Sequence, residues 1–331
     1  MRKLGVLFLL FLPLVPASAQ TSNTSATTAP TSHFIEVQTG VKLEVLEWGG
    51  NGRPLVLLAG KGFTAHDFDG FAQKLTANYR VYGITRRGYG KSSMPSPTDD
   101  NYSAERLGKD VLAVIEQLKV ERPVLVGHSF AGEELSYIGT TSPSSVAGLV
   151  YLDAGYPYAF YDSTAGDLTI DYDTLRRDLE QFTALRLMKD RKSLLSEIAE
   201  TLPRFEKELG TYRQLFAAAP DNAPLSPDTP EVGVDIAMFR GEQKFGAAKC
   251  PVLAIYADPH SFGEQYKDNP EALKAAQSKD QTETSAQADA FQRGSPQATV
   301  LRIANADHFI FRSNETEVLK AINTFIASLP E

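Results

Sequence analysis

The chain has 331 residues, 42% of them hydrophobic, enough for one large domain or a domain carrying an insertion. Its formal charge is −8 and no basic cluster interrupts the acidic balance, which argues against a nucleic acid or an anionic membrane as partner. Cys250 is the only cysteine, so no intramolecular disulfide can form, and its place before an apolar run reads as a small buried residue rather than a reactive thiol.

The chain opens on MRKLGVLFLLFLPLVPASAQ, which has the three parts of a secretory signal. Arg2 and Lys3 are the charged start, Leu4 to Val15 the apolar core, and Ala17-Ser18-Ala19 the cleavage pattern. This predicts a signal peptide over residues 1–19 and an exported protein, periplasmic or secreted. The apolar run is short for a bilayer and no second one follows, so no stable membrane anchor is expected. The next segment, TSNTSATTAPTS, is rich in Ser and Thr and has little to bury, which predicts a disordered tether over residues 20–32.

Globular patterning begins at His33. HFIEVQ and KLEVLEW alternate apolar and polar residues and predict an antiparallel hairpin across Thr39-Gly40. PLVLLAG (Pro54 to Gly60) is a continuous apolar run, as a strand buried on both faces requires. Phe68, Phe71, Ala72 and Leu75 then recur at helical spacing. YRVYGI predicts a strand, Ala104 to Leu118 an amphipathic helix, and PVLVG another buried strand. VAGLVYL, PVLAIYA and ATVLRI continue the series, and a last helix is expected from Glu315 to Ser328. Buried strands alternating with helices predict an α/β fold: a mostly parallel, eight-stranded sheet covered by helices on both faces. Between Gly155 and Pro230 no strong strand pattern occurs, only helical and aromatic stretches. The expected division is a core over residues 33–154, a helical cap inserted over 155–230, and the second part of the core over 231–331. A second polar stretch, KDNPEALKAAQSKDQTETSAQADAFQR, separates the last two strands.

One junction carries chemistry. In RPVLVGHSFAGEELSYIG a buried strand ends at Gly127, and Ser129 follows between His128 and Phe130, with Ala131 and Gly132 beyond. A serine on a sharp strand-to-helix corner needs small residues two positions to either side, because larger ones would collide. The helix that starts there points its first backbone N–H groups to where an oxyanion would form. Alone, the G-x-S-x-small pattern is a common coincidence; its place between a buried strand and a helix is what the motif demands.

With these features the chain resembles the α/β-hydrolase superfamily from about His33 to its C-terminus. LLAGKGF stands where the family has an apolar strand followed by His-Gly, with Ala59 at the histidine's place. The resemblance implies an oxyanion hole from the backbone N–H groups of Phe130 and Lys61, with Gly62 as the fallback. ITRRGYGKS is similar to the family's D-x-R-G-x-G-x-S segment, with Thr85 in place of aspartate, and reads as structural. NADHFIF is similar to the loop that bears the family's catalytic histidine, so His308, after the last strand, is expected as general base and then general acid. A lone loop histidine is ordinarily a solvated residue; the Ser…Asp…His order favours the catalytic role. His33 and His260 have no assigned part, His66 reads as a helix-start residue, and His128 as packing beside the corner.

The acid has two candidates. The family's usual place, counted from the end of PVLAIYA, holds His260 and no carboxylate, with Asp258 slightly early. Some relatives by fold place a carboxylate at the end of the preceding strand, where this chain has Asp153. Asp153 is the expected acid and Asp258 the alternative. Asp307, beside His308, is discounted. Glu133 and Glu134 stand in the first turn of the helix after Ser129, where negative charge complements the dipole; that explains one of them and leaves a pocket role open for Glu133. Tyr156, Tyr158 and Phe160 leave the sheet above the serine; ordinary core is one reading of this aromatic cluster, and lining of the substrate pocket is the expected one.

No metal-ligand spacing and no dinucleotide fingerprint occur, so neither metal nor cofactor is expected. Dehalogenases and epoxide hydrolases of this superfamily use aspartate at the corner, whereas serine with histidine implies acyl transfer. The expected function is a serine carboxylesterase acting on a small or medium ester. A lactonase, C–C bond hydrolase or peptidase shares the chemistry, and a non-catalytic ligand binder shares the fold.

Overall fold

The computed structural model describes residues 29–184, 188–217 and 229–330. The expected signal peptide and most of the expected tether lie outside these residues. The tether's end is corrected: β1 (Thr31–Gln38) starts inside it, because Thr31 pairs with Glu47 and the Ser32 hydroxyl donates to Glu44. β2 (Val41–Gly49) closes the hairpin through Gly40, whose φ of 77° suits glycine.

The remaining strands are β3 (Pro54–Leu58), β4 (Arg80–Ile84), β5 (Val124–His128), β6 (Gly148–Leu152), β7 (Val252–Ala257) and β8 (Thr299–Ile303). They form one eight-stranded sheet in the order β1-β2-β4-β3-β5-β6-β7-β8, antiparallel at the β1, β2 and β4 junctions and parallel from β4 to β8. This is the α/β architecture that the alternation of strands and helices predicts. β5, β6 and β7 are buried along their whole length, which is why they read as unbroken apolar runs.

Helices α1 (Asp69–Leu75), α2 (Asp99–Tyr102), α3 (Ala104–Gln117) and α4 (Gly132–Thr141) follow the early strands. α3 starts where Ser103 caps it by accepting from the Arg106 backbone N–H. α5 (Leu168–Ala184), α6 (Met188–Phe216) and α7 (Pro230–Arg240) stand between β6 and β7. α7 runs past the boundary expected at residue 230, with Thr229 as its cap and Pro230 in its first turn. α8 (Pro270–Gly294), α9 (Ile310–Ser313) and α10 (Glu315–Ala327) complete the order. One core packs Leu135, Ile138, Tyr151, Tyr256 and Phe291 on one sheet face; another packs Phe68, Phe71, Phe311, Ile322 and Phe325 on the opposite face. A smaller cluster joins Tyr89, Tyr102 and Phe130 to Val234 and Met238 of α7.

The β4 exit is stapled by charge. Arg87, with no exposed side-chain surface, makes two hydrogen bonds of 2.7 Å to the Asp110 carboxylate on α3. Arg86 forks onto Glu134 of α4, and the buried Thr85 hydroxyl accepts from the Ala65 backbone N–H. Removing one partner of a buried pair strands the other charge. Asp110→Ala is therefore expected to lower unfolding free energy by about 3–5 kcal/mol, measured by denaturant titration. A loss under about 1 kcal/mol would mean that Arg87 finds water in the native state.

Candidate active site

The site is built where β5 turns into α4. The chain leaves β5 at His128, makes a short 3-10 turn over Ser129–Ala131 and enters α4 at Gly132. Ser129 has a φ of 53°, a left-handed conformation that costs a non-glycine residue about 1–3 kcal/mol and persists only under tight surrounding constraint. The corner needs small neighbours: a Cβ on Gly127 would stand 2.9 Å from Leu135 and 3.2 Å from the Ala131 Cβ. The β3 exit presses in from the other side. A Cβ on Gly60 would lie 3.0 Å from the Ser129 Cβ and 3.2 Å from His128 Nδ1.

Three residues distant in sequence meet at this corner. The Ser129 hydroxyl donates to His308 Nε2 at 2.9 Å, and His308 Nδ1–H donates to Asp153 Oδ2 at 2.7 Å. Asp153 follows β6 and is fully buried. It also accepts from the Ala257 backbone N–H at 3.1 Å and the Tyr156 hydroxyl at 2.9 Å, both on Oδ1. His260 Nε2–H reaches its Oδ2 at 2.7 Å. Burial alone would push this carboxyl up, but hydrogen bonds from His260 and His308 outweigh it and hold Asp153 well below the usual carboxylate range. It therefore stays ionised and fixes the tautomer that leaves His308 Nε2 free to accept.

His128 lies below. Its ring donates through Nε2 to the His308 carbonyl oxygen at 2.8 Å, pinning the β8 loop to the β5 corner. Burial, reinforced by His308, pushes its pKa down to about 3, so it is neutral. The loops after β7 and β8 are also tied together: His260 bridges to Ala306, and the Ser261 backbone N–H donates to the Ala306 carbonyl at 2.7 Å. This sets the His260 and His308 rings side by side, their centroids 6.3 Å apart.

Other expected residues fall in different places. Asp258, the alternative acid, is turned away and pairs with Arg302 at 3.0 Å while accepting from Ser285 at 2.7 Å. Phe160 is a correction: it packs on Phe291 of α8 with ring centroids 5.4 Å apart and belongs to the sheet core, not to a pocket. Tyr156 is engaged with Asp153 and His260. Tyr158 packs its ring 4.9 Å from that of Phe130, the residue after Ser129. The Gly60–Lys61–Gly62 turn adjoins Ser129. The Lys61 ammonium pairs with Asp235 of α7 at 2.7 Å. His33 pairs with Glu47, and His66 with Asp69, both outside the site.

Glu133 has both carboxyl oxygens buried without a hydrogen-bond partner. Burial, then the nearby Glu134 and Glu242, pushes its pKa well above the ordinary carboxylate range. Glu134, its neighbour, is accounted for by Arg86.

Among the described residues, Asp153, His260 and His308 are the one set of metal-type ligands brought together. Both imidazoles stand 2.7 Å from one carboxylate oxygen, a hydrogen-bond distance. Donors sharing a zinc ion at about 2.0–2.2 Å stand roughly 3 Å or more apart, so this geometry is one of shared protons. Reasoning from sequence missed His260 and Asp280 as members of the network. The signal available was the histidine at the position the resemblance reserves for the acid.

A parallel sheet covered on both faces, with a serine at the β5 corner and a histidine after β8, defines a hydrolase-type α/β protein. Residues 55–321 match the pattern of the alpha/beta hydrolase family, and the chain belongs to that family. The AB hydrolase superfamily protein YisY of Bacillus subtilis (strain 168) is 26% identical over 252 residues, covering 71% of this chain and 86% of the relative. The non-heme chloroperoxidase of Streptomyces lividans is 31% identical over 136 residues, covering 40% of this chain and only 48% of the relative. Among solved structures, a hydrolase from Pseudomonas aeruginosa PA01 aligns with a TM-score of 0.57 at 19% identity. It covers 92% of this chain and 100% of its own, a likeness of fold.

Proposed function

We propose that this chain is an exported serine hydrolase that cleaves small or medium carboxylic esters through an acyl-enzyme on Ser129. The observation that carries the reading is the line from the strained Ser129 through His308 to the buried Asp153. Family membership leaves the reaction open, since relatives bear the names of a fluoroacetate dehalogenase, an epoxide hydrolase and a bifunctional esterase/perhydrolase. Serine as the nucleophile favours acyl transfer among these.

In this mechanism His308 Nε2 takes the Ser129 proton as Oγ attacks the carbonyl carbon. The backbone N–H groups of Phe130 and Lys61 stabilise the oxyanion, and Asp153 stabilises the imidazolium. His308 then protonates the leaving alkoxide. Water, deprotonated by the same nitrogen, releases the acid. The rings of Phe130, Tyr158 and Phe239 pack together beside the serine, Phe239 coming from α7, and suit an apolar acyl or alcohol group. Helices α5 to α7 are proposed to act as the cap over it.

Among the described residues no helix is long and apolar enough to cross a membrane. Export is proposed from the N-terminal pattern alone. No nucleic acid and no cofactor have a part in this reading.

The test is turnover of p-nitrophenyl acetate, butyrate and octanoate, beside a lactone and a peptide anilide. Ester cleavage with a preference for acetate or butyrate is expected. Inertness to all of the esters, with turnover of the anilide, would replace the esterase by a peptidase.

A further inference from the structure

Behind the acid stands a second imidazole–carboxylate pair. His260 Nδ1 lies 2.8 Å from Asp280 Oδ1, its backbone N–H donates to Asp280 Oδ2 at 2.8 Å, and its Nε2 lies 2.7 Å from Asp153 Oδ2. Both ring nitrogens thus face carboxyl oxygens, and an ionised carboxylate only accepts, so the geometry fits a ring with a hydrogen on each nitrogen. A line of five side chains results: Ser129, His308, Asp153, His260 and Asp280. Its far end is anchored in α8, the long polar helix between β7 and β8.

We propose that His260 is a positioning residue acting as a fixed cation behind the acid, and that with Asp280 it sets the pH at which His308 becomes an effective base. The proposal rests on the serine-hydrolase reading above. The His260 charge and the His308 ring compete for one oxygen, Asp153 Oδ2. A cation on that oxygen keeps Asp153 ionised and weakens its pull on the His308 proton, so His308 sheds a second proton more readily. The charge also opposes imidazolium formation on His308 directly, at a centroid separation of 6.3 Å.

The other groups facing His260 are consistent with a cation. From the β6 exit come Asp153 and Tyr156, whose hydroxyl lies 3.3 Å from Nε2; from α8 come Asp280 and, next to it, Glu283, which is paired with Lys279. His308 approaches from the β8 exit, while Asp258 on His260's own loop is taken up by Arg302. Burial works against a charged His260, but hydrogen bonds from Asp153 and Asp280 outweigh it and push its pKa up to about 10.

The experiment compares kcat/KM against pH for wild type and His260→Gln, which keeps a side-chain N–H but not the charge. The expected result is an acidic limb displaced to higher pH by about one unit, with kcat at its plateau reduced. A fall in kcat with the limb unmoved would overturn the proposal and leave His260 a structural residue. A second measurement avoids any folding defect: ¹⁵N-histidine NMR of the wild-type protein, in which one imidazole should hold both N–H protons beyond pH 8. Its absence would overturn the proposal as well. Stability gives the same sign: with a raised folded pKa, His260 contributes fully below the unfolded value of about 6.5 and the contribution is lost as pH rises towards about 10. That decline in Tm should vanish in His260→Gln; an equal decline in the variant would contradict a charged His260. If instead the wild type turns over no ester and resists a serine-directed phosphonate, the serine-hydrolase reading fails first. The NMR result then stands by itself on the charge of His260.

Discussion

Replacing Ser129 by alanine is expected to lower kcat on p-nitrophenyl esters by about 10⁵–10⁶-fold, leaving a slow residual reaction. The loss is large because, in the proposed mechanism, the hydroxyl oxygen forms the bond to the substrate, and no neighbour can take its place. Tyr158 packs on Phe130 beside the serine, but burial pushes its hydroxyl pKa well up, so it cannot supply a phenolate near neutrality. Glu133 has no hydrogen-bond partner, its pKa is likewise pushed up by burial, and it is not in the line to His308. The fold should tolerate the change. Ser129 is strained at φ 53°, and alanine keeps the small Cβ that the Gly60 contact allows. Circular dichroism and Tm of the variant would therefore match the wild type. A variant that kept more than a few per cent of activity would mean that hydrolysis occurs elsewhere on the molecule.

The second large effect is expected for Asp153→Asn, a loss of about 10⁴-fold in kcat. Asparagine can fill the same space, but its amide N–H₂ would oppose the His308 or His260 donor. His308 would then be driven into the tautomer whose Nε2 carries the proton and cannot accept from Ser129. KM should change little, since Asp153 is fully buried behind the histidine and does not face substrate. Asp258→Asn is the control. Its carboxylate pairs with Arg302 and Ser285, away from His308, so kcat should stay within about threefold while stability falls slightly. The reverse ranking of the two variants would place the acid after β7.

The sheet was legible because its strands are buried on both faces, and the apolar runs of β3, β5, β6 and β7 announce this residue by residue. Ser129 was legible for a related reason: Gly127 and Ala131 are small where the corner allows nothing larger, and that constraint is written in the sequence itself. The acid was harder. Asp153 and Asp258 both follow buried strands, and only the three-dimensional course of the β6 exit, with Asp153 at φ 47°, turns one of them to His308. α8 was read as a polar stretch because its apolar surface is confined to a few positions, Ala288, Ala290 and Phe291 among them. Its start was nevertheless marked by Asn269 and Pro270, a cap residue followed by proline at the first helical position. Missing that helix concealed Asp280, and with it the partner that gives His260 its place. Phe160 was misplaced because an aromatic cluster near a site has two ways to turn, and Phe291 on α8 took this one into the core.

Activation of Ser129 as a nucleophile by His308 is tested most directly by incubating the protein with a fluorophosphonate probe and mapping the adduct by peptide mass spectrometry. One covalent adduct is expected, on Ser129, at a rate that falls by orders of magnitude in His308→Ala and Asp153→Asn. No adduct on the folded wild-type protein, or an adduct on another residue that forms equally fast in all three proteins, would contradict it.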